Sequence, residues 1–344
     1  MTTKIIIADP ECYSDSTLKE AAEEIRNGGL VAFPTETVYG LGADGTNESA
    51  VKRIFEAKGR PSNNPLILHF AQVEDCEEYA VCDERFYALA DAFMPGPITV
   101  VLPSKGKCAP AVTAGLTTVA VRVPVHPVAR SLIRIAGKPI AAPSANLSVK
   151  PSPTNCEHVI TDLDGRVGYI IDGGSCSVGL ESTIVKLDAT GATVLRPGGI
   201  TLEMLNSVLG DVKVAPEVLA PPAPGAVPES PGMLLKHYSP DAPLYLVRSD
   251  SEERMKKFFA EAAENKENAV ICFNGYADAK NDNVYYLGDR RKTEEHARKL
   301  FELLRIADRS GAKRIYAPMP ERSGIGLALQ NRMLRAAAFK IKDI

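Results

Sequence analysis

Residues 58–69 read Lys-Gly-Arg-Pro-Ser-Asn-Asn-Pro-Leu-Ile-Leu-His. One Pro precedes the Asn pair and a second follows it. Because Pro fixes φ and has no N–H, the segment predicts a stiff, non-helical loop that leads into a strand over 66–70. Lys58 and Arg60 beside amide groups suit the binding of a polyphosphate or a carboxylate, and the alternative is a solvated charged turn.

The overall composition is that of a globular protein without a strong charge bias. The chain has 344 residues, 45% of them hydrophobic and 24% charged, which is enough for two domains with buried cores. A net charge of −3 argues against binding to nucleic acid or anionic membranes through overall charge, so a phosphate site must be a local cationic pocket. The sequence shows no stretch of transmembrane length and no signal-peptide pattern. Its seven cysteines are scattered along the chain. These features predict a cytoplasmic protein without disulfides or a zinc site.

The hydrophobic pattern of the first 210 residues mixes helices with strands. Thr17 and Glu20 form a capping-box pattern that predicts a helix over 17–27, and Asn47 predicts the start of a second helix. The predicted strands are 30–33, 66–70, 98–102, 119–123, 140–142, 169–171, 183–187 and 193–195, with further helices at 84–93, 127–136 and 202–209. The pattern predicts an α/β domain whose sheet need not be purely parallel.

A segment rich in Pro, Ala and Gly at 215–232 predicts an extended connector between two parts of the chain. The predicted strands after it are 244–247, 269–273, 284–287 and 315–317, which alternate with helices at 252–265, 293–308 and 327–338. This alternation predicts a smaller, mostly parallel α/β unit. We therefore predict a first domain over 1–212, a linker over 213–240 and a second domain over 241–344.

Several well-known catalytic patterns are weak or absent in the sequence. Gly40-Leu-Gly-Ala-Asp-Gly45 matches GxGxxG, but 34–39 separate it from the preceding strand and no acidic residue stands about 20 positions later, so a dinucleotide site is poorly supported. The sequence contains no P-loop, no GxSxG motif, no convincing Cys/His pair and no metal-ligand cluster. This favours chemistry by positioning and charge neutralisation, as in nucleotidyl transfer.

Polar turns recur at the ends of the predicted strands. They lie at 34–40, 117–124, 141–154, 179–183 and 196–199, and the cations near them are Lys58, Arg60, Arg122 and Arg196. A single turn of this kind is more often structural, but together they favour one shared cleft. Arg122 alternates with Val121 and Val123, which places it on the opposite face of its strand. An Arg there needs an anion, and the sequence leaves open whether that anion is a ligand or a structural Glu.

Short motifs along the first 240 residues resemble the L-threonylcarbamoyladenylate synthase family, the YrdC-like enzymes, in its long two-domain form. In family order they are PTETVYGLGA at 34–43, KGRP at 58–61, NPLI at 64–67 with His69, PGP at 95–97, AVRVP at 120–124, PSAN at 143–146, EST at 181–183, RPG at 196–198, SPGM at 230–233 and KHYSP at 236–240. Residues 241–344 match only in length and in their α/β pattern. The resemblance implies a YrdC-like domain with a twisted mixed α/β sheet and a cationic cleft, followed by a smaller Rossmann-like α/β domain.

The resemblance also implies a reaction and its partners. L-Threonine, bicarbonate and ATP would give L-threonylcarbamoyladenylate and pyrophosphate, which makes the chain a nucleotidyltransferase. Mg²⁺ would arrive with ATP, and no tightly bound cofactor is expected. The product would pass to an enzyme that transfers the threonylcarbamoyl group to adenosine 37 of tRNA, and we expect no membrane association and no stable complex with nucleic acid.

Carried over motif by motif, the resemblance assigns roles to individual residues. Lys58 and Arg60 would be catalytic, neutralising the triphosphate. The candidate threonine-binding residues are Thr35, His69, Arg122 and Ser182. The candidate ATP-binding residues are Arg60, Asn64, Thr118, Ser144, Ser152 and Arg196. The candidate lid residues at the end of the linker are Ser230, His237 and Tyr238, with a passive tether as the alternative.

Two rival functions remain at this stage. One is an RNA-binding module that uses a basic concavity without ATP turnover, against which the near-neutral charge and the lack of aromatic residues among the cations count. The other is a dehydrogenase that uses 40–45.

Overall fold

The computed structural model describes residues 2–221, 228–232, 237–278 and 280–344. These residues divide into two compact units. The N-terminal unit takes its residues from 1–148, 152–218 and 222–233, and the C-terminal unit takes its residues from 149–151, 219–221 and 234–344. Parts of the predicted linker, 222–227 and 233–236, lie outside the described residues, and Pro216–Val218 forms a short 3₁₀ helix.

The N-terminal unit is a mixed α/β fold built on a sheet of 11 strands within the described residues. The strands are β1 (Lys4–Ile7), β2 (Val31–Phe33), β3 (Gly40–Asp44), β4 (Ile67–His69), β5 (Ile98–Pro103), β6 (Thr118–Arg122), β7 (Ile140–Ala142), β8 (Tyr169–Asp172), β9 (Thr183–Asp188), β10 (Gly191–Arg196) and β11 (Val212–Val214). Their order is β1-β8-β2-β3-β7-β4-β6-β5-β9-β10-β11. The sheet contains both parallel and antiparallel pairs, as the sequence allowed.

Helices cover both faces of this sheet. They are α1 (Lys19–Arg26), α2 (Glu48–Lys58), α3 (Glu84–Phe93), α4 (Pro110–Thr113), α5 (Pro127–Ala136), α6 (Cys156–Leu163) and α7 (Leu202–Leu209). Along β2, Ala32 belongs to one apolar cluster and Val31 to another, and the same alternation separates Ala141 from Ile140 in β7. Since successive strand residues point to opposite faces, the two clusters are the cores on the two faces of the sheet.

The C-terminal unit is a parallel sheet of five strands within its described residues, which confirms the predicted parallel α/β unit and adds β16 to the four predicted strands. The strands are β12 (Leu244–Arg248), β13 (Asn268–Phe273), β14 (Val284–Gly288), β15 (Arg314–Pro318) and β16 (Ile341–Asp343), and the helices are α8 (Glu252–Glu264), α9 (Thr293–Arg309) and α10 (Gly326–Ala336). The sheet order is β14-β13-β15-β12-β16. Helices α8, α9 and α10 connect β12 to β13, β14 to β15 and β15 to β16, and these parallel crossovers give the unit its Rossmann-like character.

Some local predictions are confirmed and others are wrong. The Asn47 side chain accepts a hydrogen bond from the amide of Ala50 at 3.1 Å, which confirms that it caps α2. The capping box at Thr17 does not form, because a 3₁₀ turn over Asp15–Leu18 precedes α1 and brings the Thr17 hydroxyl to Ser14 instead. The loop predicted from residue 58 begins one residue later, because Lys58 ends α2.

The GxGxxG segment is part of the sheet. Gly40–Asp44 forms β3 and pairs antiparallel with β2, so its glycines do not form a strand-to-helix turn and the dinucleotide interpretation of this segment is wrong. A Cβ atom on Gly42 would lie 2.6 Å from Cγ2 of Ile140 and 2.9 Å from the ring of Phe33. Glycine is needed here because the neighbouring side chains pack directly over the backbone.

Candidate active site

Two neighbouring strands, β4 and β6, present polar side chains on one face of the N-terminal sheet. Leu68 and Val121 belong to the core on one face, so His69 and Arg122 point to the other. The two strands are parallel and His69 is the register partner of Arg122. The predicted facing of Arg122 away from its valine neighbours is therefore confirmed.

Arg122 is held by a buried ion pair. Its Nη2 donates to Oε1 of Glu36 at 2.6 Å and to Oγ1 of Thr37 at 2.9 Å, and both ionic side chains are about one-twentieth exposed. The other carboxylate oxygen of Glu36 accepts a bond from the amide of Val125. Glu36 is therefore a structural anion for Arg122, one of the two possibilities that the sequence left open. Among the described residues Nε of Arg122 has no hydrogen-bond partner, so one edge of the guanidinium remains available.

The turn that carries Glu36 is ordered by the hydroxyl of Thr35. This buried hydroxyl donates to the carbonyl of Val38 at 2.6 Å, lies 2.8 Å from Oγ1 of Thr37, and accepts the amides of both residues at 3.2 Å. Such a network is typical of a Thr side chain that caps its own turn. Thr35 therefore fixes the position of Glu36, and its assignment to threonine binding stays a prediction.

His69 is a buried, neutral imidazole. Its side chain is 3% exposed, its Nδ1 lies 3.1 Å from the carbonyl oxygen of Ile67, and Phe33 packs against it edge-on. Burial lowers the pKa of His69 to about 3, with the charge of Arg122 as the next cause. The imidazole therefore contributes no positive charge beside Arg122 near neutral pH.

Lys58 anchors a loop at the opposite end of β4. Its Nζ donates to the carbonyl of Ser144 at 2.5 Å and to the carbonyl of Asn146. The Ser144 hydroxyl donates to Oδ1 of Asn146 at 2.5 Å, which ties the loop together. Lys58 is only 2% exposed. The buried ammonium therefore ties the end of α2 to the loop after β7.

The loop between α2 and β4 places Arg60 and Asn64 beside each other. Nη2 of Arg60 lies 3.4 Å from the carbonyl of Asn64 and 3.3 Å from that of Pro65. Asn64 is 1% exposed, and neither its amide nitrogen nor its amide oxygen has a hydrogen-bond partner among the described residues. Buried amides normally have partners, so the Asn64 side chain has the hydrogen-bonding capacity that a polar ligand would use.

Ser182 and Arg196 form a third group at the start of β9. Arg196 donates from Nε to the carbonyl of Ser182 at 3.0 Å and from Nη2 to its hydroxyl at 3.1 Å, while Oγ1 of Thr99 lies 2.7 Å from the same hydroxyl. Nearby, the Ser152 hydroxyl donates to Oε1 of Glu181 at 2.5 Å. These bonds join the turns at 152–154 and 181–183, which the sequence analysis predicted to share one cleft.

The register of the sheet separates the candidates into two ends. His69 and Arg122 lie at the carboxyl ends of β4 and β6. Asn64 precedes β4, Thr118 begins β6 beside Pro103, and Ser144 follows β7, which runs antiparallel to β4, so these three lie at the other end. Four residue steps from Thr118 to Arg122 span about 13 Å at the usual rise of a strand. The ends are far enough apart to hold two substrates in line.

Comparison with known proteins identifies the family. A family model described as "Telomere recombination", which represents the Sua5, YciO and YrdC proteins, matches residues 23–198. A second, described as "Threonylcarbamoyl-AMP synthase, C-terminal domain", matches residues 200–338. Threonylcarbamoyl-AMP synthase from Pyrococcus abyssi is 44% identical over 341 residues, which cover 98% of each chain. The chain belongs to the threonylcarbamoyl-AMP synthase family.

Other members of the family agree with this assignment. The synthase from Bacillus subtilis is 42% identical over 339 residues and covers 97% of each chain. The crystal structure of P. abyssi Sua5 complexed with L-threonine is 44% identical, with a TM-score of 0.93 over 99% of this chain and all of that one. These comparisons confirm the predicted family, the predicted fold and the nucleotidyltransferase class, and they do not favour the RNA-binding alternative.

The predicted lid residues fall in different units. Ser230, in the N-terminal unit, is buried, and its hydroxyl has no partner among the described residues. His237 and Tyr238 belong to the C-terminal unit. The Tyr238 ring packs 5.3 Å from that of Phe301 and under the guanidinium of Arg332. Whether these residues act as a lid stays a prediction.

The motifs quoted for the threonylcarbamoyl-AMP synthase family contain functional partners that were not assigned roles from the sequence. Glu36, Asn146 and Glu181 hold Arg122, Lys58 and Ser152 respectively. The sequence pointed to residues next to these three as ligands. The role of the three in positioning other side chains is visible only from contacts in the folded structure. Thr99 was missed because it sits in an apolar strand, and its alternation with the core residues Ile98 and Val100 was the available signal.

Neither a metal cluster nor a membrane segment is found in the described residues. No group of three or more His, Cys, Asp or Glu side chains there could hold a metal ion. No helix in the described part of the chain is long and apolar enough to cross a membrane.

Proposed function

We propose that the N-terminal unit makes L-threonylcarbamoyladenylate from L-threonine, bicarbonate and ATP, binding threonine at the Arg122 end of β4 and β6 and ATP at the Asn64 end. The observation that carries this proposal is the pair of buried polar groups without protein partners at opposite ends of these strands. Nε of Arg122 is at one end and the Asn64 amide at the other. Such groups are rare in folded proteins and favour a polar ligand that spans both ends.

At the threonine end, Arg122 would bind the carboxylate. The ion pair with Glu36 uses Nη2 and fixes the plane of the guanidinium, so Nε remains for a substrate oxygen. His69 is neutral and adds no charge that would repel the threonine ammonium group. Thr35 and Ser182 border this end and would contact the amino acid.

At the ATP end, the cations would neutralise the triphosphate. Lys58 and Arg60 are both buried there. Arg196 is also buried but lies beside Ser182, toward the threonine end, from where it would contact ATP or its product. Asn64 would bind the nucleotide through its amide, with Thr118, Ser144 and Ser152 as further contacts. Glu36 and Glu181 are engaged by Arg122 and Ser152, so we propose that Mg²⁺ is held by the phosphate oxygens of ATP rather than by these side chains.

The chemistry then needs positioning and charge stabilisation. The threonine ammonium group first loses a proton to solvent, and the resulting amine attacks bicarbonate to give a carbamate with loss of water. A carbamate oxygen attacks the α-phosphorus of ATP, the bond from that phosphorus to the bridging oxygen breaks, and pyrophosphate leaves with its negative charge. Buried cations near the phosphates stabilise the charge that develops on the leaving group.

The test is the stoichiometry of products. Pyrophosphate release from ATP should require threonine and bicarbonate together, and mass spectrometry should find threonylcarbamoyl-AMP. Omitting either substrate is the control. Formation of ADP, or pyrophosphate release that is indifferent to threonine, would refute the proposal. Salt-dependent RNA binding without ATP turnover would support the rival RNA-binding function.

Three wider parts of the proposal rest on the family alone. The product would pass to a tRNA threonylcarbamoyl-transferring enzyme, the protein would work in the cytoplasm, and the linker end with Ser230, His237 and Tyr238 would cover the reacting adenylate. Excluding water in this way would protect a reactive mixed anhydride from hydrolysis.

A further inference from the structure

We propose that the C-terminal unit carries a second ligand site, which binds a phosphate-bearing small molecule at the carboxyl ends of its parallel strands. A crevice of about 1260 Å³ lies there, lined by the loops that follow β12, β13, β14 and β15. All the residues that line it belong to the C-terminal unit. The proposal is separate from the reaction assigned to the N-terminal unit.

The crevice lies where the order of the strands reverses. Strands β13 and β15 are adjacent in the sheet. From β13 the chain continues to β14 on one side of this pair, and from β15 it continues through α10 to β16 on the other side of the pair. In open parallel sheets, connections that diverge from adjacent strands leave a gap at the carboxyl edge, and ligands bind in that gap. The loops over 274–278 and 319–325 border this gap.

Arg322 is the cation with free capacity in this crevice. Its Nε donates to Oε1 of Gln330 at 3.0 Å, and Gln330 is in turn fixed by its own bond to the carbonyl of Pro320 at 2.8 Å. Among the described residues the two terminal nitrogens of Arg322 make no hydrogen bond and no ion pair. A guanidinium with its stem fixed and both terminal nitrogens available suits a phosphate.

The other cations that line the crevice are already paired. Arg290 bridges Glu252 at 2.9 Å and Glu321 at 3.3 Å, and Arg291 pairs with Asp289 at 3.4 Å. Because these cations are paired, we expect removal of Arg322 to weaken phosphate binding in the crevice more than removal of either of them.

The backbone next to Arg322 offers further donors. Gly324 has a φ of +54°, a left-handed conformation that glycine adopts without strain, and this turns the chain into α10. The amides of Ser323, Gly324 and Ile325 precede the first amides that bond within the helix. Arg322 and Ser323 both line the crevice, so these amides lie next to the guanidinium in the chain.

Aromatic side chains also line the crevice, at the end of β13 and beyond it. Phe273 packs 5.4 Å from Tyr276 and 5.0 Å from His296, and both of these partners are buried. Aromatic side chains that line the same crevice as a guanidinium fit a nucleoside phosphate better than a bare anion. We therefore commit to a nucleoside phosphate, with its phosphate at Arg322 and its base toward Phe273 and Tyr276.

Amide hydrogen exchange on the full-length protein tests this assignment. AMP, ATP, pyrophosphate and inorganic phosphate are added separately at about 1 mM, enough to occupy sites of ordinary metabolite affinity. We expect AMP to slow exchange in peptides covering 319–328 and 273–278, and inorganic phosphate to protect only the first. Peptides around 58–69 report on the N-terminal site, so failure of one site is distinguishable from failure of the other.

Arg322→Gln supplies the decisive variant, with Arg298→Gln on the exposed face of α9 as the matched control. Arg322→Gln should weaken AMP binding at 319–328 by at least about tenfold, and Arg298→Gln should leave it unchanged. Protection by pyrophosphate or phosphate but not AMP would overturn the nucleoside assignment. The whole site is overturned if none of the four probes protects 319–328, or if Arg322→Gln leaves the protection intact.

Discussion

Replacing Asn64 by Leu should stabilise the protein and weaken ATP binding at the same time. The Asn64 side chain is 1% exposed, and both polar atoms of its amide lack a partner among the described residues. Leu has the same branching at Cγ and places two methyl groups where the amide atoms stand. The substitution therefore removes an unsatisfied polar group and leaves the local packing largely unchanged.

The expected magnitudes follow from the cost of burying an amide. A buried polar group without a partner costs about 1–3 kcal/mol, so removing it should raise the local free energy of unfolding by up to that amount. The same amide would donate to and accept from ATP, and losing charge-assisted bonds of this kind weakens affinity by about tenfold to a hundredfold. Opposite signs for stability and binding are typical of a residue kept for its ligand.

Amide hydrogen exchange of β4 and β6 measures the local stability, and isothermal calorimetry measures the affinity for ATP. Asn283→Leu is the matched control, because Nδ2 of Asn283 donates to the carbonyls of Ala263, Asn265 and Asn268 at 3.2, 3.2 and 2.9 Å. Asn283→Leu should lower the stability of β13 and β14 and leave ATP affinity unchanged. If Asn64→Leu lowers stability and leaves ATP affinity unchanged, Asn64 serves the fold and does not bind ATP.

Three further predictions concern His69, Arg122 and the linker. Burial lowers the pKa of His69 from 6.5 to about 3. The stabilisation from the neutral His69 is therefore complete above pH 6.5 and decreases as the pH falls toward 3. Within this window the free energy of unfolding changes by about 1.4 kcal/mol per pH unit for the one proton involved. His69→Gln should make urea unfolding less sensitive to pH in that window, and an unchanged pH dependence would contradict the buried neutral imidazole. Arg122→Lys keeps the charge beside Glu36 but loses the fork, so steady-state kinetics should show a larger rise in KM for threonine than for ATP, and equal rises would mark Arg122 as structural. If 213–240 is a lid, ATP with threonine should slow its proteolysis, whereas a passive tether would be cut at the same rate with or without them.

The sequence was informative where a local pattern and the folded environment demand the same residue. Asn47 begins a helix because its side chain caps the first free amides, a purely local effect. Val119, Val121 and Val123 enter the core together, and this alternation turned Arg122 to the site face. The parallel C-terminal sheet followed from regular alternation of strands with helices.

The sequence failed where structure depends on distant partners. Lys4–Ile7 forms a strand only because β8, more than 160 residues later, pairs with it, and its side chains are mostly exposed. Gly40–Asp44 lacks strand-forming residues apart from Leu41, yet it pairs between β2 and β7 because glycine admits the ring of Phe33. Helix α6 was missed although Cys156, Val159, Ile160 and Leu163 have helical spacing and Asn155 caps it, because a pattern of only eight residues is short.

The ion pair of Arg122 shows why a structural partner and a ligand do not exclude each other. Burying a lone guanidinium in a sheet is costly, and Glu36 offsets that cost through one terminal nitrogen. The pair uses one edge of a group that has five donors, so it orients the guanidinium and leaves Nε toward the site. A lysine would place its single nitrogen on Glu36 and have no second, fixed direction for a carboxylate. The partner therefore makes Arg122 a more selective threonine ligand, which is why Arg122→Lys separates the two roles.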